Sequence, residues 1–508
     1  MNNFKFVLLL IVSMVMVGCS TDNTDTTPDP QDPDPVNNDP TTITASPVVI
    51  ETTGANGITV SFTISEEGSG SGVTEVGVVW SESPNPTIND DKIAFSSPGT
   101  YKAQLAFLEE ETTYYIRSYG TNSGGTVYSD QATETTLSFA NRLILNGDIT
   151  LTTQQELLDF GYQNYSEVVG RLTIVSFGSQ SINDVTTLQT LIKIGSLDIQ
   201  NSEGITNLLG FKNLRELTGF LIVSSNLNLT SLEGLNQLIS VGDFIFIERN
   251  DNLTSISALA NLTSTFDISI RDNEILTSLN GLQNISTING YLVIAFNDSL
   301  TDISALHDID QVDDEFAIVN NQSLQVVNGF NNLTIAGDDI YIEENDNLIT
   351  ISGFNALASV EREFSIRNNA SLTGINGFAS LNNTGDDFKI RANPALISIT
   401  GFTSLETVGD FFSIDVNSSL TTIQAFDALV NIDDAFYIAY NDSLTDLDAF
   451  SNLLNTGDCT IIFNTSLTDF CGLFNLVSNP GGIQFFYTVE GNAYNPTRDD
   501  ILNGNCSI

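Results

Sequence analysis

An asparagine returns every 23–24 residues over nearly half of this chain: Asn226, Asn250, Asn273, Asn297, Asn321, Asn345, Asn369, Asn393, Asn417, Asn441 and Asn464. Three residues after each stands a leucine, from Leu229 to Leu467, and three before each stands Val223 or an isoleucine, from Ile247 to Ile461. Five before each is another apolar residue, among them Leu221, Ile245, Phe316 and Cys459. Two inward residues with one outward residue between them make a short strand. A unit of this length buries one face only by stacking on copies of itself, so the core runs along the array. Strands stacked in parallel about 4.8 Å apart make roughly thirteen rungs some 60 Å long. The asparagine falls where the chain leaves the strand, where its amide can satisfy backbone groups of the turn and of the next rung. Eight residues after the asparagine only Gly or Ala occurs, as at Gly234, Ala258, Gly281 and Gly401, which points to a tight corner or a close rung contact.

The spacing Leu-x-Ile-x-x-Asn-x-x-Leu resembles leucine-rich repeats, and more closely the receptor L domain, a ligand-binding solenoid. Residues 144–174 add to the likeness. Ile144 to Ile149 reads as an opening strand, Thr153-Gln-Gln-Glu156 as a capping box for a helix over 156–164, and Gly170 to Ile174 as the first rung. Such a cap shields the first rung from water and from edge pairing. Receptor L domains are much shorter and have cysteine-rich neighbours that are absent here, so the resemblance implies a solenoid that binds on its sheet face and not receptor signalling. The reading is a solenoid over 138–476 with its N-terminal cap and a C-terminal cap over 477–508. Of the four cysteines, Cys459 falls in an inward column, while Cys471 and Cys506 are expected to pair and pin the tail over the last rung.

Ahead of the array, residues 43–137 carry alternating segments such as Ile58-Val60-Phe62-Ile64 and Val76-Val78-Trp80, separated by turn-forming stretches. Short strands of period two in this length indicate a β-sandwich. The run from Leu108 through Thr112, Tyr114 and Ile116 to Tyr119, followed by Asn122-Ser-Gly124-Gly125, resembles the fibronectin type III pattern. There a leucine and a tyrosine lock one strand crossing, and such modules commonly act as spacers. Trp80 alternates inward and reads as core. The fold class is therefore mostly β: an N-terminal β-sandwich, then a long parallel β-solenoid of leucine-rich-type rungs with a helical cap.

The chain opens with Lys5, an apolar run over 6–17 and Gly18-Cys19. The run is too short to span a membrane as a helix and reads as a signal peptide, residues 1–18. A small residue directly before the cysteine resembles the bacterial lipobox, with Met16 a looser fit where leucine is usual. The resemblance implies acylation of Cys19 and an outer-membrane lipoprotein. The acidic stretch after the cysteine resembles the surface-export signals of some gram-negative lipoproteins, which implies exposure at the cell surface. Residues 19–42 alternate proline with aspartate and make an extended, self-repelling tether.

The formal net charge is −47, from 16 basic and 63 acidic residues. That field repels nucleic acid and anionic lipid, leaving the lipid anchor as the membrane contact. No phosphate loop, nucleophile elbow or zinc motif is present, and the single histidine, His307, has no partner set; the chain reads as a non-enzyme and a monomer without a cofactor. Aspartates form columns before the strands, among them Asp314, Asp338, Asp386, Asp410 and Asp434. Like charges about 5 Å apart repel by roughly 1 kcal/mol even in water, which a bound Ca²⁺ would relieve. The alternative is that they serve Asx turns and stay hydrated. The outward strand columns hold Arg249, Arg271, Arg367, Lys389 and Arg391 together with Phe246, Phe296, Tyr341, Tyr437 and Tyr440. Arg and aromatic residues are the usual anchors of binding surfaces. Arg367, Lys389 and Arg391, with Tyr341 one rung before, read as a positive island that draws a ligand bearing carboxylates or sulfates. The expected function is a surface-anchored binding or adhesion lipoprotein that recognises a protein or glycan on the sheet face. The alternatives are a structural spacer of the envelope and an accessory glycan-capture protein.

Overall fold

The structure, a computed structural model, describes residues 40–508 apart from 69, 71 and 177–180. The expected signal peptide, Cys19 and all of the tether before residue 40 lie outside the described residues.

From residue 144 to 490 the chain is a parallel β-solenoid of about fourteen turns. Its main wall is an eighteen-stranded sheet whose repeating strands include Leu221–Ser224, Ile245–Glu248, Ile268–Arg271, Phe364–Arg367 and Phe388–Arg391. Pairing is in register, column on column: Phe364 lies beside Phe388 and Arg367 beside Arg391. Two narrower walls of two-residue strands complete the coil, one running from Ser264–Thr265 to Asn431–Ile432 and one from Val326–Val327 to Thr422–Ile423. Helices are few among the described residues. The cap helix is Gln154–Gly161, with the Thr153 side chain accepting from Glu156 N–H. Glu156 reaches back to Thr152 rather than to Thr153, so the reciprocal half of the box is set one residue early.

Every apolar column of the repeat is inside. Phe330, Phe354, Phe378, Phe402, Phe426 and Phe450 stack one per turn, with centroids 4.7–5.6 Å apart. They meet the strand phenylalanines edge-on, as Phe402 meets Phe388 at 90°. These are the offset and T-shaped geometries that ring quadrupoles favour. The asparagines form a continuous buried ladder. Asn345 donates from Nδ2 to Ile318 O and Glu343 O, both at 2.9 Å, and its Oδ1 accepts Asn321 N–H at 2.9 Å. The residue before each asparagine takes the left-handed conformation although none is glycine, as at Arg249, Phe296, Val416 and Tyr440. At Gly401 an added Cβ would stand 1.9 Å from Gly377 O, so close rung contact accounts for the Gly/Ala column there.

The last turn was hidden by an irregular spacing. Residues 487–490, read from sequence as cap, pair as a strand with Cys459–Ile462, and Asn492 continues the ladder 28 residues after Asn464. Beyond it, a disulfide joins Cys471 to Cys506, and the tail pairs back along Asp469 and Thr468. Cys459 is a free, fully buried thiol whose pKa burial pushes up to about 12.

The N-terminal unit is built of two antiparallel sheets, one holding Thr42–Ala45, Val49–Thr53, Gly57–Glu67 and Gly99–Ala106, the other centred on Glu75–Ser81 and Thr113–Asn122. They enclose one core that includes Val60, Phe62, Val78, Trp80 and Ile116. Leu108 is buried beside it, and Tyr114 OH accepts Glu109 N–H at 3.0 Å. This unit is fastened to the first solenoid turns by buried polar contacts. Gln104 Nε2 donates to Gly161 O at 2.7 Å and to Asn164 Oδ1 at 2.8 Å, Asn164 Nδ2 donates to Thr59 Oγ1 at 3.0 Å, and Asn56 Nδ2 donates to Thr190 O at 3.1 Å.

Candidate functional site

The outward face of the main sheet carries two chemically different regions. Toward the C-terminal half lie Arg367, Lys389 and Arg391, which sequence reading made the positive island of the sheet. The island is neutralised. Arg367 Nε is 2.7 Å from Glu343, Lys389 Nζ is 3.1 Å from Glu363 and 2.5 Å from Asp387, and Arg391 Nε is 3.3 Å from Asp415. Three cations are thus held by four carboxylates, and the expected pull on anionic ligands has no free charge behind it. Glu343 and Asp415 are nearly buried and are fixed further by Ser365 and Ser413 at 2.8 and 2.6 Å. Tyr341 and Tyr437 stand half-buried on this part of the face.

Nearer the N-terminus an aromatic strip crosses the turns. Phe220 and Phe244 stack at 4.8 Å with rings 5° from parallel, Phe244 meets Phe246 at 4.2 Å, and Phe246 meets Tyr291 at 6.3 Å. The 4.8 Å separation of the near-parallel Phe220 and Phe244 rings matches the strand spacing, so the faces of these two cover one another, while Phe246 and Tyr291 continue the strip at tilted angles. Arg171 lies over the end ring, Phe220, and pairs with the fully buried Asp198. Arg271 stands at the same stretch of sheet with a buried Nε that has no hydrogen-bond partner among the described residues. The Nε of Arg171 is in the same state, and an orphaned buried donor costs about 1–3 kcal/mol. Burial beside Asp267 and Glu248 pushes the Tyr291 hydroxyl up to about 12, so it stays a donor at neutral pH.

Arg249, Phe296 and Tyr440 are placed differently from the expectation. Each sits in the left-handed corner just past its strand, at the margin of the sheet rather than on it, and each is exposed. Tyr440 stacks there on Phe463 at 5.2 Å. Phe220, Phe244 and Tyr291 were missed from sequence although a signal existed: with Phe411 they share the column six residues before the asparagine.

In the column beside the expected acids, aspartates bridge one turn to the next. Asp339 Oδ1 accepts Glu363 N–H at 2.9 Å and Asp387 Oδ1 accepts Phe411 N–H at 3.1 Å, each bridging to the next turn. Arg362 stands 3.6–3.8 Å from Asp338, Asp339 and Asp386. Among the described residues no group of three or more His, Cys, Asp or Glu side chains is placed to hold a metal ion. His307 is an exposed turn residue whose Nδ1 is 3.0 Å from Ser304 O.

A second candidate lies where the N-terminal unit meets the first turns: a cleft of about 680 Å³, lined by Asn56, Phe107 and Glu109 on one side and by Phe139, Asn213 and Arg215 on the other. Two ion pairs border it, Arg142 with Glu167 and Lys193 with Glu216. Compared with known protein families, with curated proteins and with solved structures, the chain returns no match.

Proposed function

We propose that this chain is a lipid-anchored surface protein that binds a macromolecular ligand, protein or glycan, through the sheet face of its solenoid. In this reading Cys19 carries the lipid at the outer membrane, the fibronectin type III-like unit carries the solenoid, and the receptor L-domain-like array does the binding. The observation that supports it is the aromatic strip from Phe220 to Tyr291 on the stretch of sheet that carries Arg271, whose guanidinium makes no ion pair among the described residues. Rigid rings and arginine are the side chains that dominate binding energy at interfaces, because they bury large area and lose little rotamer freedom. The ion-paired stretch around Lys389 then serves as the polar surround.

The test uses the full chain from residue 20, screened on glycan and surface-protein arrays, followed by the double substitution Phe246→Ala and Arg271→Ala. Removal of two anchors is expected to weaken the captured ligand by at least tenfold, on the order of 1.4 kcal/mol or more. Unchanged affinity in a variant with an intact circular-dichroism spectrum refutes the sheet-face reading. For the anchor, Cys19→Ser is expected to leave the protein unlipidated and released from membranes; normal membrane retention refutes it.

A further inference from the structure

We infer that the cleft between the N-terminal unit and the first solenoid turns is a binding site for a short, neutral oligosaccharide. It is a site separate from the sheet face.

The cleft is concave and has the size of small-ligand sites, which run from about 300 to 1,000 Å³. Its apolar part is contributed by Leu108, Ile192 and Ile239 together with two exposed rings. Phe107 is 45% exposed and Phe139 is 38% exposed, so neither serves the core. Phe107 also holds a backbone φ of 61°, where a bulky side chain costs about 1–2 kcal/mol that glycine would not. A strained aromatic kept at the surface is accounted for by what its ring does there. One structural use is visible, since the Lys212 ammonium lies 3.7 Å from the centre of the ring.

The polar part carries both donors and acceptors. Asn213 offers its amide oxygen, its Nδ2 being held by Gln189 O at 2.7 Å. Glu109 offers a carboxylate and Arg215 a guanidinium that makes no ion pair among the described residues, while Asn56 and Ser166 are buried in the wall behind them. The lining cations Arg142, Lys193 and Arg215 equal in number the lining acids Glu109, Glu167 and Glu216, so the site has no net formal charge in a chain of net charge −47. An anionic ligand gains nothing from a balanced site and must cross the negative field outside it. A pyranose has apolar C–H faces that cover an aromatic ring, and hydroxyls that donate and accept together. That combination matches rings beside mixed donors and acceptors, with no charge demanded.

The cleft walls are also fixed in advance. Asn56, one of the lining residues, is bonded across the junction to Thr190 O at 3.1 Å, and Asn164 behind it is fully buried. A preformed site spends little binding energy on ordering.

The experiment takes the full chain from residue 20 and a panel of maltotriose, cellotriose, xylotriose, mannotriose, laminaritriose and chitotriose, with trigalacturonic acid as the charged comparison. Saturation-transfer NMR finds binders and calorimetry measures them; dissociation constants of about 0.1–1 mM are expected for at least one neutral sugar. Phe107→Gly, which removes both ring and strain, is expected to weaken that sugar at least tenfold while leaving the melting temperature unchanged or higher. Asn213→Ala is expected to weaken it severalfold. The inference is overturned if no neutral sugar binds, if trigalacturonic acid binds best, or if the bound sugar is indifferent to Phe107→Gly. A sugar lost with Phe246→Ala and Arg271→Ala but kept with Phe107→Gly belongs to the sheet face, which overturns this site and upholds the other.

Discussion

Replacing Asn345 by alanine isolates what the asparagine ladder contributes. The side chain is fully buried and makes three short hydrogen bonds, to Ile318 O, to Glu343 O and from Asn321 N–H, each at 2.9 Å. Glu343 O keeps a second partner, Asn320 N–H at 2.9 Å, whereas Asn321 N–H has no other acceptor. One orphaned buried donor costs about 1–3 kcal/mol, and two lost hydrogen bonds to carbonyls about 1 kcal/mol each, so Asn345→Ala is expected to cost about 3–5 kcal/mol. The matched control is Asn347→Ala. Asn347 is exposed and makes one bond to Gln322 O at 2.7 Å, so its removal should cost no more than about 1 kcal/mol. Urea unfolding followed by circular dichroism measures both. Because each turn contacts only its neighbours, hydrogen exchange should place the damage in Phe316–Val319, Ile340–Glu343 and Phe364–Arg367 and leave distant turns protected. Equal midpoint shifts for Asn345→Ala and Asn347→Ala would refute the ladder as a main source of stability.

Val416 is β-branched, 40% exposed and held at φ 60°; Val416→Asn should therefore raise stability by about 1 kcal/mol, read as a higher urea midpoint, and a lower midpoint counts against stored strain there. Burial first, then neighbouring acids, raise the carboxyls of Asp267, Glu315, Asp410 and Asp448 above their ordinary range. The folded state then binds protons more readily than the unfolded state, so stability falls as pH rises through these groups. The melting temperature should climb as pH is lowered from neutral toward the range in which these carboxyls take up protons, and added salt at neutral pH should raise it too; a steady fall with acid refutes this sign. Asn164→Ala removes the buried bonds to Thr52 and Thr59 and the acceptor of Gln104, and should split a single calorimetric transition into two, while one unchanged transition shows that the junction does not rest on this network.

The solenoid was legible because one turn is one repeat: residues that must share an environment share a column, and Leu, Ile and Asn columns reveal the inside directly. What the columns hid follows from the same logic. The left-handed corner before each asparagine is filled by Ser225, Arg249, Asp272, Phe296, Val416 and others, because the ladder fixes the backbone there whatever the side chain, so no residue preference marks it. Three expected sheet residues, Arg249, Phe296 and Tyr440, were misplaced for that reason. The final turn escaped notice because the 28-residue step to Asn492 breaks the period. Two of the ion pairs lie within a single column, Arg367 facing Glu343 and Arg391 facing Asp415 one turn away, and they were overlooked because only the basic and aromatic members of that column were collected. Lys389 reaches Glu363 and Asp387 in the column six before the asparagine. The cleft depends on Phe107 and Arg215 meeting across a junction, and no period connects those two segments.

That junction changes what the N-terminal unit contributes. Sequence likeness gave it the role of a spacer, but a spacer joined by a flexible link would let the solenoid point anywhere. Here Gln104, Asn164, Thr59 and Asn56 are all buried and bonded across the seam, so swinging the two units apart would strand several polar groups at once. The described chain also begins at the opposite end of the unit: Pro40 lies against Gly124 in the turn after Thr113–Asn122, whereas Thr113 begins that strand on the side where Leu137 and Gly54 approach Asn164. Whatever holds the chain before residue 40 is therefore separated from the solenoid by the full length of that strand, roughly 33 Å at 3.3 Å per residue. Orientation set by a keyed joint makes the sheet face and the cleft parts of one rigid body. A ligand long enough to touch both then meets them at a fixed separation, and the second contact comes without a further loss of rotational freedom.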